Sequence, residues 1–343
     1  MASITICIPT YNREEFLSRA ITSLEQLIVP EEVALKILVS DDSYTEIKKN
    51  RVCNRHNKLN INYIKSNSGG QFYNINKAII NITTEWVIIL HDDDILYENY
   101  LVDALNGLKI FSDATVFWAN RFLINDHDVP LRAAGIQPSR NLQPINLNGN
   151  NYCRAWLLSN NPTLDGSVVP PMVTGLMFKR EIFGNQKLFN ENYETMADGV
   201  FIYKILALSK SVIYSPRVNV GYRVSALTER SKLARSGKVY FEYKKHLNDA
   251  FSFLELEPSL LNENIISKNF SKQALAINGP ITWIALHYQG SVLTYLSIIV
   301  NSLFDIYKTN PRGFLVNFPF APLILVFTPR IIKIKIAKYY LGY

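Results

Sequence analysis

A length of 343 residues allows one large domain with an appendage, or two domains. The composition, 48% hydrophobic and 19% charged, excludes a disordered chain. A formal charge of +7 is gathered near the end, where the sequence beyond Asp305 has no acid but carries Lys308, Arg312, Arg330, Lys333, Lys335 and Lys338. Those bases flank apolar, aromatic-rich sequence instead of forming a dense run, which favours an anionic membrane surface over nucleic acid as the partner.

Cys7, Cys53 and Cys153 are too few and too scattered for a disulfide framework or a zinc site, and their odd number fits a reducing compartment such as the cytosol. The start, Met1 to Ile8, lacks a basic leader region and reads as a first strand.

In chain order, Ile4–Ile8 is an apolar strand, followed by the polar turn Pro9-Thr10-Tyr11-Asn12. A helix follows, with Phe16, Leu17, Ala20, Ile21, Leu24 and Leu27 at helical spacing, and Asn12 with Glu15 resembles a capping box at its start. Val33–Val39 is a second strand ending at Ser40-Asp41-Asp42-Ser43, and Ile61–Ile64 a third, ending at Ser66 to Gly70. The next helix carries Ile75, Ala78, Ile79 and Ile82 and leads to the short apolar run Trp86–Leu90. After His91 come three successive aspartates, Asp92, Asp93 and Asp94.

This β-α-β-α-β order predicts a parallel, doubly wound sheet over the first hundred residues. Parallel strands would bring the four polar clusters, Thr10-Tyr11, Asp41-Asp42, Asn67–Gly70 and His91–Asp94, to one sheet edge, where open α/β folds bind ligands. The aspartate triplet taken alone reads equally as a solvated, helix-capping turn or as a site for Mg²⁺ or Mn²⁺. No G-x-G-x-x-G follows the first strand and no P-loop motif occurs, which weighs against a dinucleotide fold and a P-loop NTPase.

From Trp118 to about Pro171 periodicity is weak and Asn and Pro are frequent, so this stretch is expected to wrap the sheet or form an acceptor-side loop. Lys238–Leu256 has a helical pattern, with Tyr240, Tyr243, Leu247, Phe251 and Leu254 near one face. Ser291–Phe304 and Gly313–Thr328 are strongly apolar but fall short of the roughly 20 residues a spanning helix needs. They read either as interfacial insertions or as a buried helical hairpin.

Four stretches, ITICIPTYN (Ile4–Asn12), ILVSDDS (Ile37–Ser43), NKAIINITTEWV (Asn76–Val87) and LHDDDIL (Leu90–Leu96), resemble in content, order and spacing the family 2 glycosyltransferases of the GT-A fold. A weaker resemblance runs from Thr174 to Thr228, through TGLMFKREIF, LFNENY, ADGVFIYKIL and GYRVSALT. The resemblance implies an α/β, GT-A-like doubly wound mixed sheet with a mainly helical C-terminal extension. It implies a catalytic domain over 1–230, with a nucleotide-sugar half of about 1–110 and an acceptor half of about 111–230. Residues 231–343 would form the helical, membrane-associating region.

By the same resemblance Thr10 and Tyr11 line the nucleotide pocket, with Tyr11 offering a stacking face, and Asp42 binds the base while Asp41 caps the turn. Asn67 and Gly70 join the substrate-binding set. The family's D-x-D motif falls on His91-Asp92-Asp93, so His91 replaces its first carboxylate. Asp93 then becomes the metal ligand, assisted by Asp94, and Asp92 contacts the ribose. His91 itself either ligates or is a hydrogen-bonded neighbour. Asp198 matches the general base, with Ala197 in place of the preceding acid and Glu194 as the alternative base; the bland alternative for Asp198 is a helix N-cap. Tyr222-Arg223, followed by Arg230, Lys232 and Arg235, resembles a loop that closes over the diphosphate.

The resulting expectation is an inverting, Mn²⁺- or Mg²⁺-dependent glycosyltransferase of bacterial-type glycan biosynthesis. It would use a nucleotide-diphosphate sugar, with UDP as the nucleotide, and a glycan or lipid-linked saccharide acceptor at the cytoplasmic face of a membrane. Two rivals stand beside it. A nucleotidyltransferase would show a Gly-rich basic loop after the first strand, which Pro9–Arg13 does not resemble. A catalytically silent glycan-binding relative is suggested by the replaced acids at His91 and Ala197.

Overall fold

The computed structural model describes residues 2–44, 56, 58–67, 69–131, 142–157, 168–184, 186–193, 197–223, 245–246 and 249–256. Arg230, Lys232 and Arg235, Glu194, the apolar runs after residue 290 and the basic tail lie outside them. So do 238–244 and 247–248 of the expected 238–256 helix, of which 245–246 and 249–253 are helical.

The strands are β1 (Ala2–Thr10), β2 (Val33–Asp41), β3 (Ile61–Lys65), β4 (Trp86–Ile89), β5 (Ile95–Leu96), β6 (Val116–Ile124), β7 (Ile145–Leu147), β8 (Leu176–Lys179) and β9 (Val212–Arg223). The helices are α1 (Glu14–Glu25), α2 (Gln71–Ile80), α3 (Tyr100–Ile110), α4 (Gly149–Leu157) and α5 (Ala197–Leu208). All strands join one mixed sheet in the order β3-β2-β1-β4-β8-β6-β9-β5, with β7 also on β9. β3, β2, β1 and β4 are mutually parallel. β8 lies antiparallel between β4 and β6, and β6 runs parallel to β9.

Side-chain alternation explains the two-sided packing. Ile4, Ile6 and Ile8 of β1 and Ile88 of β4 share a buried cluster with Leu17, Ala20, Ile21 and Leu24 of α1 and with Leu101 and Ala104 of α3. On the opposite face, Phe178 of β8 meets Phe201 of α5 at 5.6 Å between ring centroids. Phe201 stacks on Phe189 at 4.5 Å, and Phe189 on Phe72 of α2 at 5.6 Å. Full burial of each such ring contributes about 1.5–3 kcal/mol. Strands covered on both faces read as continuous apolar runs, which is why β1 and β4 are recognisable from sequence.

Two local expectations are corrected. Arg13, not Asn12, stands at the N-cap of α1, and no side chain caps that end. Asn12 instead takes a left-handed turn with φ 53°, and its N–H donates to Ser43 Oγ at 2.7 Å. The stretch after Trp118 is not all loop, because β6 continues to Ile124. Its first five residues are buried on both sides and its register with β9 shifts around Asn120, so no clean period of two survives in the sequence.

The chain divides into two compact units, one of Met1–Tyr152, Thr163–Tyr193 and Ala197–Val224, the other of Cys153–Pro162, Glu194–Met196 and Ser225–Tyr343. In the second, Ala250, Phe251 and Leu254 are buried. Among the described residues no helix is long and apolar enough to cross a membrane.

Candidate functional site

The parallel pairing carries Thr10 and Asp41 to the same level of the sheet edge, since they are register partners. Asp41 is fully buried and is consumed by structure. Its carboxylate accepts from Ser43 N–H at 2.9 Å, from the Ser43 and Tyr63 hydroxyls, and from Lys65 Nζ at 3.4 Å. Asp42 turns toward the third cluster, accepting from Gly69 N–H at 3.2 Å and Gly70 N–H at 2.9 Å. That grip requires a tight reversal, which Asn67 at φ 47° and Gly69 at φ +79° supply. Tyr11 is 40% exposed and meets Tyr44, 89% exposed, edge-on at 5.7 Å. Tyr44 was not singled out from sequence; only its place two residues after Asp42 could have drawn attention to it.

The acid triplet lies beyond β4 and is held from three directions. Thr10 Oγ1 donates to Asp92 Oδ2 at 2.7 Å. Arg13 Nη1 bridges Asp92 Oδ1 at 3.2 Å and Asp93 Oδ2 at 2.9 Å. Arg223, at the end of β9, donates its backbone N–H to Asp94 Oδ1 at 2.7 Å and its Nε–H to the Asp93 carbonyl at 2.6 Å. The rest of the Arg223 guanidinium binds the Asn125 carbonyl and the Asp128 carboxylate, and it lies 5.3 Å from the Phe16 ring centre. Arg223 is thus 2% exposed and braces the triplet. The expectation that it faces a diphosphate is corrected, because its donors are already paired with protein acceptors. Arg13, which sequence reasoning passed over, is the cation that meets the carboxylates.

Burial and the neighbouring Asp93 charge push Asp92 up to about 6, against the counter-pull of Arg13 and Thr10. The same two causes push Asp94 up to about 7. Burial pulls His91 down, but Asp198, Asp94, Asp93 and Asp92 together outweigh it and leave the imidazole more basic than usual. Asp198 leads those four carboxylates, so its charge acts on His91. It is the second residue of α5, inside the first turn rather than at the N-cap, where the helix dipole favours an anion.

The approach to α5 is fixed by Asn76 of α2, another residue without an expected role. Its Oδ1 accepts from Leu188 N–H at 3.1 Å and Phe189 N–H at 2.9 Å, while Nδ2 donates to the Phe189 carbonyl at 2.8 Å and Glu191 Oε1 at 3.0 Å. Thr174, just ahead of β8, accepts from His91 N–H at 3.3 Å. Its signal was the TGLMF stretch, which carried no assigned role at this position.

The donor set suits a divalent ion. His91, Asp93 and Asp94 each offer one ligand atom, and the three lie within 4.8 Å of one another. Asp94 is 1% exposed; the Thr174 side chain interacts with its carboxylate, and its Oδ2 meets no donor at close hydrogen-bond geometry among the described residues. A buried carboxylate oxygen in that state is stabilised by a cation.

Residues 5–167 match the model of Glycosyl transferase family 2. Over 106 residues the chain is 29% identical to the poly(ribitol-phosphate) beta-N-acetylglucosaminyltransferase TarS of Staphylococcus aureus, a match covering 30% of this chain and spanning 18% of that protein's length. The corresponding enzyme TarP of the same species is 23% identical over 269 residues, 77% of this chain and 75% of TarP. In structure, the TarS 1–349 fragment superposes with a TM-score of 0.57 at 16% identity, covering 100% of this chain and 92% of that one. Its complex with UDP-GlcNAc gives 0.52 at 16% identity, with coverages of 90% and 89%. The mannosyltransferase PcManGT of Pyrobaculum calidifontis, in complex with GDP-Man and Mn²⁺, gives 0.50 at 16% identity, with coverages of 96% and 86%. These likenesses establish a GT-A-type fold, and residues 5–167 of the chain are similar to glycosyl transferase family 2.

Proposed function

We propose that this protein is an inverting glycosyltransferase that moves a sugar from a UDP-sugar to a hydroxyl of a polymeric glycan or lipid-linked saccharide. The observation that carries the reading is the meeting of Asp42, the Asp92–Asp94 triplet and the charge of Asp198 at the carboxyl edge of parallel strands. The UDP and UDP-GlcNAc complexes of the TarS fragment support UDP as the nucleotide. TarS and TarP are named for poly(ribitol-phosphate), which supports a hydroxyl-rich polymer as acceptor.

In this reading Asp42 accepts from a base N–H or ribose hydroxyl, and Tyr11 covers the base. Thr10, Asn67 and Gly70 line the same pocket, and Asp92, steadied by Thr10 and Arg13, receives the ribose. Asp93, Asp94 and His91 would hold a divalent ion, which when bound supplies positive charge to the departing diphosphate. Asp198 takes the proton of the acceptor hydroxyl as it attacks the anomeric carbon from the face opposite the diphosphate. Arg230 keeps its proposed role as a donor-closing cation. Residues 1–230 form the catalytic domain of this proposal, and the basic, apolar sequence after 231 brings it to the cytoplasmic face of a membrane.

The test is Asp198→Asn in the full-length protein, with UDP binding by calorimetry beside sugar transfer. UDP affinity is expected within about twofold of wild type, and transfer is expected to fall by about 10²–10⁴, the usual contribution of a general base. Unimpaired transfer would remove Asp198 from the mechanism. UDP binding without turnover in any donor and acceptor panel would favour a catalytically silent relative.

A further inference from the structure

We propose that Arg121 sets acceptor specificity, its guanidinium receiving an anionic group, phosphate or carboxylate, that the acceptor carries near its attacking hydroxyl. The inference rests on the glycosyltransferase reading above and adds to it the charge class of the acceptor.

Arg121 is a partly buried cation in the middle of β6, and the sheet bends to admit it. The register of β6 with β9 shifts on both sides of Asn120. Asn120 holds that irregularity with its own side chain. Its Oδ1 accepts from Arg121 N–H at 2.8 Å, and its Nδ2 donates to the Pro216 carbonyl at 3.3 Å. Irregularities of this kind re-aim a side chain and are frequent beside active sites.

The guanidinium is anchored at one corner. Nη1 donates to the Pro170 carbonyl at 2.8 Å, next to Val169, whose carbonyl accepts from Trp118 Nε1 at 2.9 Å. Trp118 packs on Tyr152 and Tyr214, at 5.7 Å and 5.8 Å between ring centroids. Nε and Nη2 of Arg121 meet no protein acceptor among the described residues, and no carboxylate pairs with them. Arg223 differs, since its donors are spent on Asp93, Asn125 and Asp128. Burial pulls Arg121 below the ordinary arginine value, against the opposing pull of Tyr222, Tyr214, Tyr152 and Asp94. A desolvated cation without a paired anion is costly, and adjacent open N–H groups match a carboxylate or phosphate two bonds at a time.

Position decides which substrate brings that anion. The nucleotide-side clusters end β1, β2 and β3, whereas β6 stands on the other side of β4, beyond β8. Two strand spacings amount to about 9–10 Å, so a group on Arg121 lies clear of the nucleotide pocket. It still lies within the field of Asp94, at the end of the acid triplet. The 169–170 segment that Arg121 holds runs on to Thr174, which accepts from His91 N–H. Arg121 is therefore coupled to the reacting edge from the acceptor half of the sheet.

Full-length protein with saturating UDP is titrated by calorimetry with glycerol phosphate oligomers, galacturonate oligomers and neutral malto-oligosaccharides of matched length. Wild type is expected to bind one anionic series at least about tenfold tighter than the neutral one, and the series it prefers distinguishes phosphate from carboxylate. Arg121→Gln keeps a donor for the Pro170 carbonyl; it is expected to lose that preference while UDP affinity stays within about twofold. Arg121→Lys keeps the charge without the planar fork and is expected to retain a preference of about threefold. Equal weakening toward charged and neutral probes in both variants would reduce Arg121 to a strap for the Pro170 segment and overturn the inference. A wild type that prefers neither anionic series would overturn it too. UDP binding persists in both of those outcomes and leaves the glycosyltransferase reading standing, whereas a wild type that binds no UDP would remove that reading and the inference with it.

Discussion

Asn76→Ala removes a side chain that makes four hydrogen bonds to the segment leading into α5, so it measures how firmly the Asp198 helix is set. The residue is buried, and the N–H groups of Leu188 and Phe189 both lose their acceptor. Each buried donor left unmet costs about 1–3 kcal/mol, and water entering the gap recovers part, which gives an expected loss of about 2–4 kcal/mol. Asn81→Ala is the internal comparison, because Asn81 makes one exposed bond to the Lys77 carbonyl at 2.8 Å within the same region of chain. Its effect should stay within about 0.5 kcal/mol. Urea unfolding followed by tryptophan fluorescence reads both, since Trp86 and Trp118 are buried. Transfer should fall more than UDP affinity in Asn76→Ala, because the Phe189–Phe201 contact passes the disturbance to α5. Equal unfolding midpoints for the two variants would refute the bracing role.

Asp93→Ala should abolish the part of UDP affinity that depends on Mn²⁺ while leaving metal-free affinity unchanged, as read by calorimetry with and without the ion. Gly175→Ala should lower stability by about 2–4 kcal/mol, combining left-handed strain with overpacking. Gly175 has φ +69°, and an added Cβ would lie 2.6 Å from Val220 Cγ2; an unchanged melting temperature would contradict this. In the metal-free protein Asp92, Asp94 and His91 all sit above their ordinary pKa values, so the folded state binds more protons than the unfolded one. Their contribution is complete below the unfolded carboxylate value of 3.8 and is lost as pH rises through about 6 and about 7. The unfolding midpoint should therefore fall between pH 5 and 8, the range those shifts bracket, and Mn²⁺ binding near pH 6 should release protons. Full-length protein should float with anionic liposomes, and replacing Lys333, Lys335 and Lys338 with Gln should release it; unchanged flotation would remove the membrane assignment.

By itself the sequence determined the N-terminal, parallel part of the sheet. Strands buried on both faces must be apolar and short, their connections carry helical spacing, and a parallel arrangement obliges their polar ends to share an edge. Ile4–Ile8, Val33–Val39, Ile61–Ile64 and Trp86–Leu90 were legible for that reason, and so was the convergence of Thr10, Asp42, Asn67 and Asp92. β6 was not, since burial on both sides and a register shift near Asn120 erase its periodicity.

The division of labour among the charged residues was decided only by tertiary structure, because it depends on partners far away in the chain. Asp41 and Asp42 are adjacent, yet one is tied to Tyr63 and Lys65 and the other to Gly69 and Gly70. Arg223 looked like a phosphate ligand until Asp128 and the Asn125 carbonyl were seen to hold it. The same holds for His91 and Asp94: only packing sets the imidazole Nδ1 3.8 Å from the buried Asp94 Oδ2, which no spacing in the sequence reveals.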